Sequence, residues 1–210
     1  MYSQYKLQDD SGLLRETASQ TAGPFVHIGL ALEIAGFESR SDEIWQDLAK
    51  ADAVGEHIEL VGHVYDGNGE AVHDALIEIW QADSSGHYIS EFDNKKPFTS
   101  FGRSACALDG DFHFNTVKPG QVAFDGQHGK PMAPHINIAI FARGINLHLQ
   151  TRAYFDDEQD ANANCPILNS VPSTERRQTL IAKKEQSDGK PRYRFDIYLQ
   201  GDGETVFFDF

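Results

Sequence analysis

The segment HINIAIFA, residues 135–142, predicts the fold more clearly than any other stretch of the chain. Isoleucine stands at every second position from 136 to 140, so the isoleucines share one face of an extended strand. His135 and Asn137 then project together from the opposite face. One apolar face and one mixed face are typical of a strand that packs on a core from one side.

Similar strand patterns precede and follow this segment. Asp, Asn and Gly residues at 66–69 and 109–111 predict tight turns between strands, because these residues tolerate the backbone angles of such turns. The frequency of strands and turns predicts an all-β fold, an antiparallel β-sandwich core with short peripheral helices and an irregular N-terminal arm. The further predicted strands are HIELVGHVY (57–65), ALIEIWQA (75–82), FHFNT (112–116) and RYRFDIYLQ (192–200).

Two short helices are expected outside the sandwich. Residues 41–50 begin with Ser41 as a candidate cap and carry acidic residues in the first turn. Residues 173–184 begin with Ser173 and end near two lysines. We therefore divide the chain into an arm with one short helix, residues 1–56, and a sandwich domain, residues 57–210.

The charge balance limits the kinds of partner. The 210 residues include 18 Lys and Arg against 32 Asp and Glu, a net charge of −14. Such a chain does not bind nucleic acid through its overall charge. An anionic small ligand would need a local cation to offset the overall field.

Cysteine content and the N-terminus predict a cytoplasmic setting. The chain has two cysteines, Cys106 and Cys165, which is too few for a disulfide framework and fits a reducing compartment. The N-terminal residues lack the basic start and apolar stretch of a signal peptide. We expect free thiols in both cysteines.

Three side chains near strand ends are candidates for chemistry, and each has an ordinary alternative. His135 with Asn137 is a poor metal site, and the pair fits a hydrogen-bonded position near a sheet end. Tyr88 fits a packed aromatic residue at a loop. Arg143 could hold a carboxylate with two hydrogen bonds, or it could form a surface ion pair with one of the many acidic residues.

Several motifs, taken together and in order, resemble the intradiol ring-cleaving dioxygenases. The resemblance covers nearly the whole chain, and the combination of IEIWQAD, TVKPG and PHI is specific. These enzymes use O2 to open a catechol ring between its two hydroxylated carbons. The matching segments are TASQTAGPFVHIG (17–29), LVGHVYDGNG (60–69), IEIWQADSSGHY (77–88), FHFNTVKPG (112–120), APHINIAIFARG (133–144) and YFDDE (154–158).

The resemblance implies a degenerate metal site. Family enzymes hold Fe(III) with two tyrosines and two histidines, and those positions here are Tyr88, Val122, His135 and Asn137. Val122 offers no donor atom, and Asn137 offers only a neutral carbonyl oxygen. Fe(III) is a hard cation that needs anionic oxygen ligands. We therefore predict that this chain does not bind the iron itself.

One branch of the family pairs an iron-free alpha chain with an iron-binding beta chain, and this sequence resembles the alpha chain. Its ending, QGDGETVFFDF (200–210), and the segment HIGLALEIAG (27–36) carry that likeness. The resemblance implies a hetero-oligomer of alpha-beta units in which Fe(III) is held by the beta chain and the site lies at the interface. Residues 1–56 would pack on the partner, and the substrate would be a small aromatic acid.

The pocket residues that the resemblance assigns to this chain are Thr21, Gly23, Pro24 and Arg143. Phe25 stands where the family usually has tyrosine, which keeps the aromatic wall and removes a hydroxyl group. Arg143 is the expected local cation for an anionic substrate.

Two other functions stay open at this point. The chain could be an enzyme in its own right if His113 or His148 replaced the missing ligands. It could also be a stand-alone, metal-free sandwich that serves as a binding module. The arm and the FARG segment (141–144) are better explained by a retained partner.

Overall fold

The chain folds into β-strands joined by loops and a few short helices. A computed structural model describes residues 32, 36–38, 45–91, 93, 95–124, 129–145, 147–187 and 189–209. Within these residues, two α-helices, α1 (Gln159–Asn164) and α2 (Thr174–Gln178), and a 3-10 turn at Leu168–Ser170 lie between the sixth and seventh strands. The strands are β1 (His57–Tyr65), β2 (Leu76–Gln81), β3 (Phe101–Ala105), β4 (Asp111–Val117), β5 (His135–Phe141), β6 (Leu149–Phe155), β7 (Ile181–Glu185), β8 (Arg192–Arg194) and β9 (Ile197–Tyr198).

The strands form one mixed sheet, so the predicted all-β class is confirmed and the predicted antiparallel β-sandwich core is matched only in part. The strand order is β3-β2-β5-β6-β7-β8-β1-β4, with β9 beside β1. Most neighbours are antiparallel, but β6–β7, β1–β8 and β1–β9 are parallel. A parallel pair needs a long crossover, and residues 156–180, which contain both helices, provide it between β6 and β7.

One apolar core joins the two ends of this strand path. Leu60 from β1 and Phe114 from β4 are fully buried in the same cluster as Ile79 from β2 and Ile138 from β5. The sheet therefore curls so that both halves cover a common core, which is how it meets the two-layer requirement of a stable domain. A smaller apolar cluster lies around Tyr154, where the second layer is provided by the crossover and the C-terminal residues.

Residues 45–50 are extended, so the predicted helix over 41–50 is wrong for its described half; residues 41–44 lie outside the described part. Trp45 exchanges two backbone hydrogen bonds of 2.8 Å with Arg103 of β3. Leu48 donates from its backbone N–H to Asn115 of β4 at 2.8 Å. We call residues 45–49 the closing segment, because it bonds to both outermost strands of the sheet path. Pairing with two strand edges overrides the local helix propensity.

The predicted helix over 173–184 begins correctly and ends too late. The hydroxyl of Ser173 accepts a hydrogen bond from the backbone N–H of Arg176 at 3.2 Å, as a helix cap does. The helix ends at Gln178, and residues 181–185 form β7 instead. The reason is tertiary, because Ala182 is buried in the core and pairs with Phe155 of β6.

The other predicted strands and the tight turn at 66–69 are present. The Asp66 carboxylate accepts hydrogen bonds from the backbone N–H groups of Asn68 and Glu70, and Gly69 has a φ of 80°. RYRFDIYLQ is divided into β8 and β9. Both cysteines are buried free thiols, and burial raises the pKa of Cys106 to about 12. None of the helices in the described ranges is long and apolar enough to cross a membrane.

The closing segment gives a stability prediction. Leu48 is 2% exposed and belongs to the core, so Leu48→Ala should lower the free energy of unfolding by about 2–5 kcal/mol. Leu108, which is 90% exposed, provides the same substitution without burial, and its effect should stay within about 0.5 kcal/mol. Urea unfolding of the two variants measures the difference. If the two substitutions lowered the free energy of unfolding equally, the packing of residues 45–49 against the core would be contradicted.

Candidate degenerate metal site

Tyr88 reaches the mixed face of β5 through a tight turn after β2. The Asp83 carboxylate accepts hydrogen bonds from the backbone N–H groups of Ser85 and His87, which reverses the chain. Gly86 has a φ of 85°, and a Cβ there would lie 2.0 Å from the carbonyl oxygen of Gln121. Only glycine allows this close approach, which sets the Tyr88 loop against the residue that precedes Val122.

The side chains of Tyr88, His135 and Asn137 form one hydrogen-bond chain. The amide of Asn137 donates to the Tyr88 hydroxyl at 3.0 Å and to the carbonyl oxygen of Trp80 at 2.9 Å. Tyr88 Oη lies 3.3 Å from His135 Nε2, and His135 Nδ1 lies 2.7 Å from the carbonyl oxygen of Ala133. One proton arrangement satisfies all of these contacts, with Nδ1–H donating to Ala133 and Nε2 accepting from Tyr88.

Burial keeps this cluster uncharged. The desolvation of His135, and to a smaller extent the positive charge of Arg152, lowers the pKa of its imidazole to about 4. Burial raises the pKa of Tyr88, although its hydrogen bond from Asn137 and the charge of Arg152 act in the opposite direction. At neutral pH the site therefore holds a neutral phenol and a neutral imidazole. The pair at 135 and 137, predicted to be hydrogen-bonded near a sheet end, is part of a hydrogen-bonded cluster.

Val122 completes the four predicted positions without adding a donor. Its backbone forms an isolated bridge with Met132, with N–H to O distances of 3.1 and 2.8 Å in the two directions. The side chain is buried. Fe(III) requires anionic oxygen ligands, whereas these positions present an alkyl group, an amide, a neutral imidazole and a phenol of raised pKa. The residues do not fit a ferric ion.

Arg152 is the residue that the sequence did not reveal. It lies on β6 directly opposite Asn137, and Tyr154 lies opposite His135. Its Nη1 lies 3.4 Å from Met132 Sδ, next to the Val122 bridge. The sequence of β6 has too little apolar alternation to predict a strand. The register that places Arg152 opposite Asn137 depends on tertiary structure and is not visible in the sequence.

Arg143 lies at the other end of β5. It is about eight residues from His135, and a strand rises ~3.3 Å per residue. The two side chains therefore lie at opposite ends of β5. Nε of Arg143 forms an ion pair with the carboxylate of Asp74, whose side chain is 5% exposed. The Arg143 side chain itself is 53% exposed. Arg143 therefore forms the ion pair with an acidic residue that was one of its two predicted roles, and more than half of its side chain is still exposed.

The remaining candidate residues do not join the Tyr88 cluster. His148 packs near Phe141, at the Arg143 end of β5, with ring centroids 5.5 Å apart. His113 lies on β4, and its Nδ1 atom lies 3.4 Å from Nε2 of Gln46. Among the residues whose structure is described, no group of three His, Cys, Asp or Glu side chains could hold a metal ion. Thr21, Gly23, Pro24 and Phe25 lie outside the described residues.

Comparison with known proteins gives a consistent set of relatives. A family model described as "Dioxygenase" matches residues 34–201. The chain is 60% identical over 199 residues to the protocatechuate 3,4-dioxygenase alpha chain of Pseudomonas putida, covering 94% of this chain and 98% of that one. It is 29% identical over 163 residues to the protocatechuate 3,4-dioxygenase beta chain of Burkholderia cepacia, covering 73% of this chain and 68% of that one.

A solved structure supports the fold alone. Catechol 1,2-dioxygenase from Pseudomonas arvilla C-1 superposes with a TM-score of 0.54 at 21% identity, over 76% of this chain and 58% of that one. At this level of identity the likeness concerns the arrangement of strands and not the chemistry.

The buried imidazole of His135 predicts a pH dependence of stability. Its folded pKa of about 4 lies below the ordinary value of 6.5, so the unfolded chain binds the proton first as the pH falls. This group should therefore cost up to about 3 kcal/mol of stability between pH 6.5 and 4.

Urea unfolding at pH 8.5, 7.5, 6 and 5 measures this slope. His135→Gln removes the titrating group, and its stability should fall less steeply than that of the wild type below pH 6.5. The two should run parallel above pH 7.5. Parallel curves throughout the range would contradict a neutral, buried His135.

Proposed function

This chain belongs to the dioxygenase family, and from that premise we propose that it is the iron-free alpha subunit of a protocatechuate 3,4-dioxygenase. It would complete the active site of an iron-binding beta subunit. The observation that carries the proposal is the 60% identity to an alpha chain over almost the full length of both proteins. The reaction is the O2-dependent cleavage of 3,4-dihydroxybenzoate to 3-carboxy-cis,cis-muconate, in which both oxygen atoms enter the product. The proposed setting is the cytoplasm.

The residues at the chain's own site support the proposal that the beta subunit binds the iron and this chain contributes to the substrate pocket. Tyr88, Val122, His135 and Asn137 do not fit a ferric ion, so the iron is assigned to the beta subunit. Bound there, Fe(III) would activate the catechol for reaction with O2. This chain's share is to help bind and orient the substrate.

The residues proposed to reach the shared pocket come from two parts of the chain. Within residues 1–56, the part that precedes the closing segment would pack on the partner, with Thr21, Gly23 and Pro24 at the pocket and Phe25 as an aromatic wall. Arg143 approaches from the sandwich domain, residues 57–210. Its distance along β5 from the Tyr88 cluster fits a role in the partner's site rather than in the chain's own.

Arg143 is suited to bind the substrate carboxylate. Its Nε side is held by the buried Asp74, while more than half of the side chain faces outward. The net charge of −14 repels an anionic acid at long range, so attraction has to come from a local cation. A planar guanidinium fixed on one side can receive a carboxylate on the other.

Co-expression tests the proposal. We expect iron and ring cleavage when this chain is produced with the beta-chain homologue from the same genome, in an assembly of alpha-beta units. The chain produced alone should contain no stoichiometric iron, show no cleavage and be poorly soluble, because permanent interfaces are large and apolar. Metal analysis, mass measurement and O2 consumption provide the readouts.

Each alternative has its own outcome in that experiment. Iron and activity in the chain alone would overturn the proposal in favour of a self-sufficient enzyme. A metal-free monomer that does not bind the beta chain would overturn the proposal in favour of a stand-alone binding module.

Substitution of Arg143 tests its assigned role in the assembled protein. Arg143→Gln should lower kcat/KM for 3,4-dihydroxybenzoate by about 10–100-fold, the loss of one charged hydrogen-bonding partner, and should leave uncharged catechol nearly unaffected. Steady-state kinetics with both substrates measure this selectivity.

A matched control distinguishes the loss of substrate binding from the loss of the ion pair between Arg143 and Asp74. Arg143→Gln alone leaves a buried carboxylate without its cation, which destabilises the fold. Combining Arg143→Gln with Asp74→Asn removes both charges and keeps two amides that can pair. The selectivity loss should be the same in the double variant, and unchanged selectivity in both would show that Arg143 does not bind the carboxylate.

A further inference from the structure

A buried carboxylate lies against the exposed arginine at the end of β5. The side chain of Asp74 is 5% exposed, whereas that of its partner Arg143 is 53% exposed. We infer that Asp74 is a positioning residue, which holds the Arg143 guanidinium in the orientation that receives the substrate carboxylate and so adds to the selectivity for aromatic acids. The inference rests on the proposed function and deepens it, since it names a second residue that controls the same pocket.

The register of β2 and β5 brings the two residues together. The last pair of this antiparallel ladder is Leu76 with Phe141. Two residues further along each chain, the same register leads to Asp74 and Arg143. Both lie in turns beyond the strand ends, and the ion pair shows that they still face each other. The pairing that aligns the sheet therefore also places the carboxylate beside the arginine.

A tight turn fixes the main chain of Arg143. The backbone N–H of Ile145 donates to the carbonyl oxygen of Ala142 at 3.3 Å, so Arg143 and Gly144 are the two central residues of the turn. Gly144 has a φ of 83°, a backbone angle that favours glycine. The backbone thus fixes the base of the arginine side chain, and the ion pair with Asp74 fixes its guanidinium.

Burial of Asp74 makes this ion pair obligatory. A buried carboxylate that loses its cation is strongly destabilising, so the guanidinium stays beside it. Asp74 contacts Nε, which leaves the two Nη groups of Arg143 for a second carboxylate. Among the residues that the structure describes, no other acidic side chain pairs with Arg143.

The expected benefit is in substrate binding. A guanidinium that is already held in one orientation loses little conformational freedom when a carboxylate binds to it. Without the Asp74 carboxylate, the substrate itself would have to order the arginine side chain. Loss of this contact should therefore raise the KM for the carboxylated catechol and change kcat much less.

Two substitutions of Asp74 in the assembled protein separate orientation from charge. Asp74→Glu keeps the charge and moves the carboxylate by one methylene group, whereas Asp74→Asn keeps the shape and removes the charge. Each should raise the KM for 3,4-dihydroxybenzoate by about 3–10-fold, the effect of one side chain that is ordered only on binding. The constants for uncharged catechol should stay nearly unchanged. Steady-state kinetics with both substrates measure the selectivity, and mass measurement confirms that each variant assembles.

A purely neutralising role for Asp74 predicts the opposite pattern. Removal of a negative charge beside Arg143 would then lower the KM for the anionic substrate in Asp74→Asn, and Asp74→Glu would behave like the wild type. That pattern would overturn the inference. If the longer side chain of Asp74→Glu prevents assembly, Asp74→Asn decides the question by the direction in which its KM changes.

Two controls distinguish positioning from a general loss of stability. Glu78→Gln removes another ion pair of β2, in which Nε of Arg103 lies 2.8 Å from Glu78 Oε1, and it should leave the selectivity unchanged. In the Arg143→Gln background, Asp74→Asn should have no further effect on selectivity, because Asp74 acts through Arg143.

The outcomes separate this inference from the proposed function. If the wild-type assembly cleaves the ring and Arg143→Gln loses selectivity, wild-type selectivity in assembled Asp74 variants would overturn the inference and leave the proposed function intact. Absence of ring cleavage in the wild-type assembly would overturn the proposed function and the inference with it.

Discussion

The two-sided pairing of β5 is the constraint on which the rest of the structure depends. This strand bonds to β2 on one edge and β6 on the other, and its isoleucines are fully buried in the main core. Because side chains alternate with a period of two, the buried isoleucines force His135 and Asn137 to the opposite face. A slip of one residue would expose the isoleucines, so the geometry of the Tyr88 cluster is a consequence of core packing.

The sequence predicts well where one face of a strand is apolar and the other is not. β1, β4 and β5 satisfy that condition and were recognised. The closing segment and β7 were assigned to helices, because their residues have acceptable helix propensity and their extended state depends on partners far along the chain. The motif resemblance identified Tyr88, Val122, His135 and Asn137, whereas Arg152 needed the register of β6. Asp74 also went unnoticed, because its pairing with Arg143 joins separate segments.

The two ends of β5 differ in chemical character. At one end, Asn137, Tyr88 and His135 form a neutral hydrogen-bond chain beside the guanidinium of Arg152. At the other end, a buried carboxylate holds an arginine that faces outward. One end is closed and internally satisfied, and the other presents a charge to its surroundings. This contrast agrees with the proposed role of the chain as a subunit that completes its partner's active site.

The closing segment also fixes the root of the N-terminal arm. Its backbone hydrogen bonds to Arg103 and Asn115 tie residues 45–49 to both outer strands of the sheet. The preceding residues therefore start from a rigid anchor point rather than from a loose tether. Force applied through the arm, such as that from a bound subunit, would be carried as shear along two strand edges. In the proposed assembly, attachment of the partner and closure of the sheet would depend on the same anchor at residues 45–49.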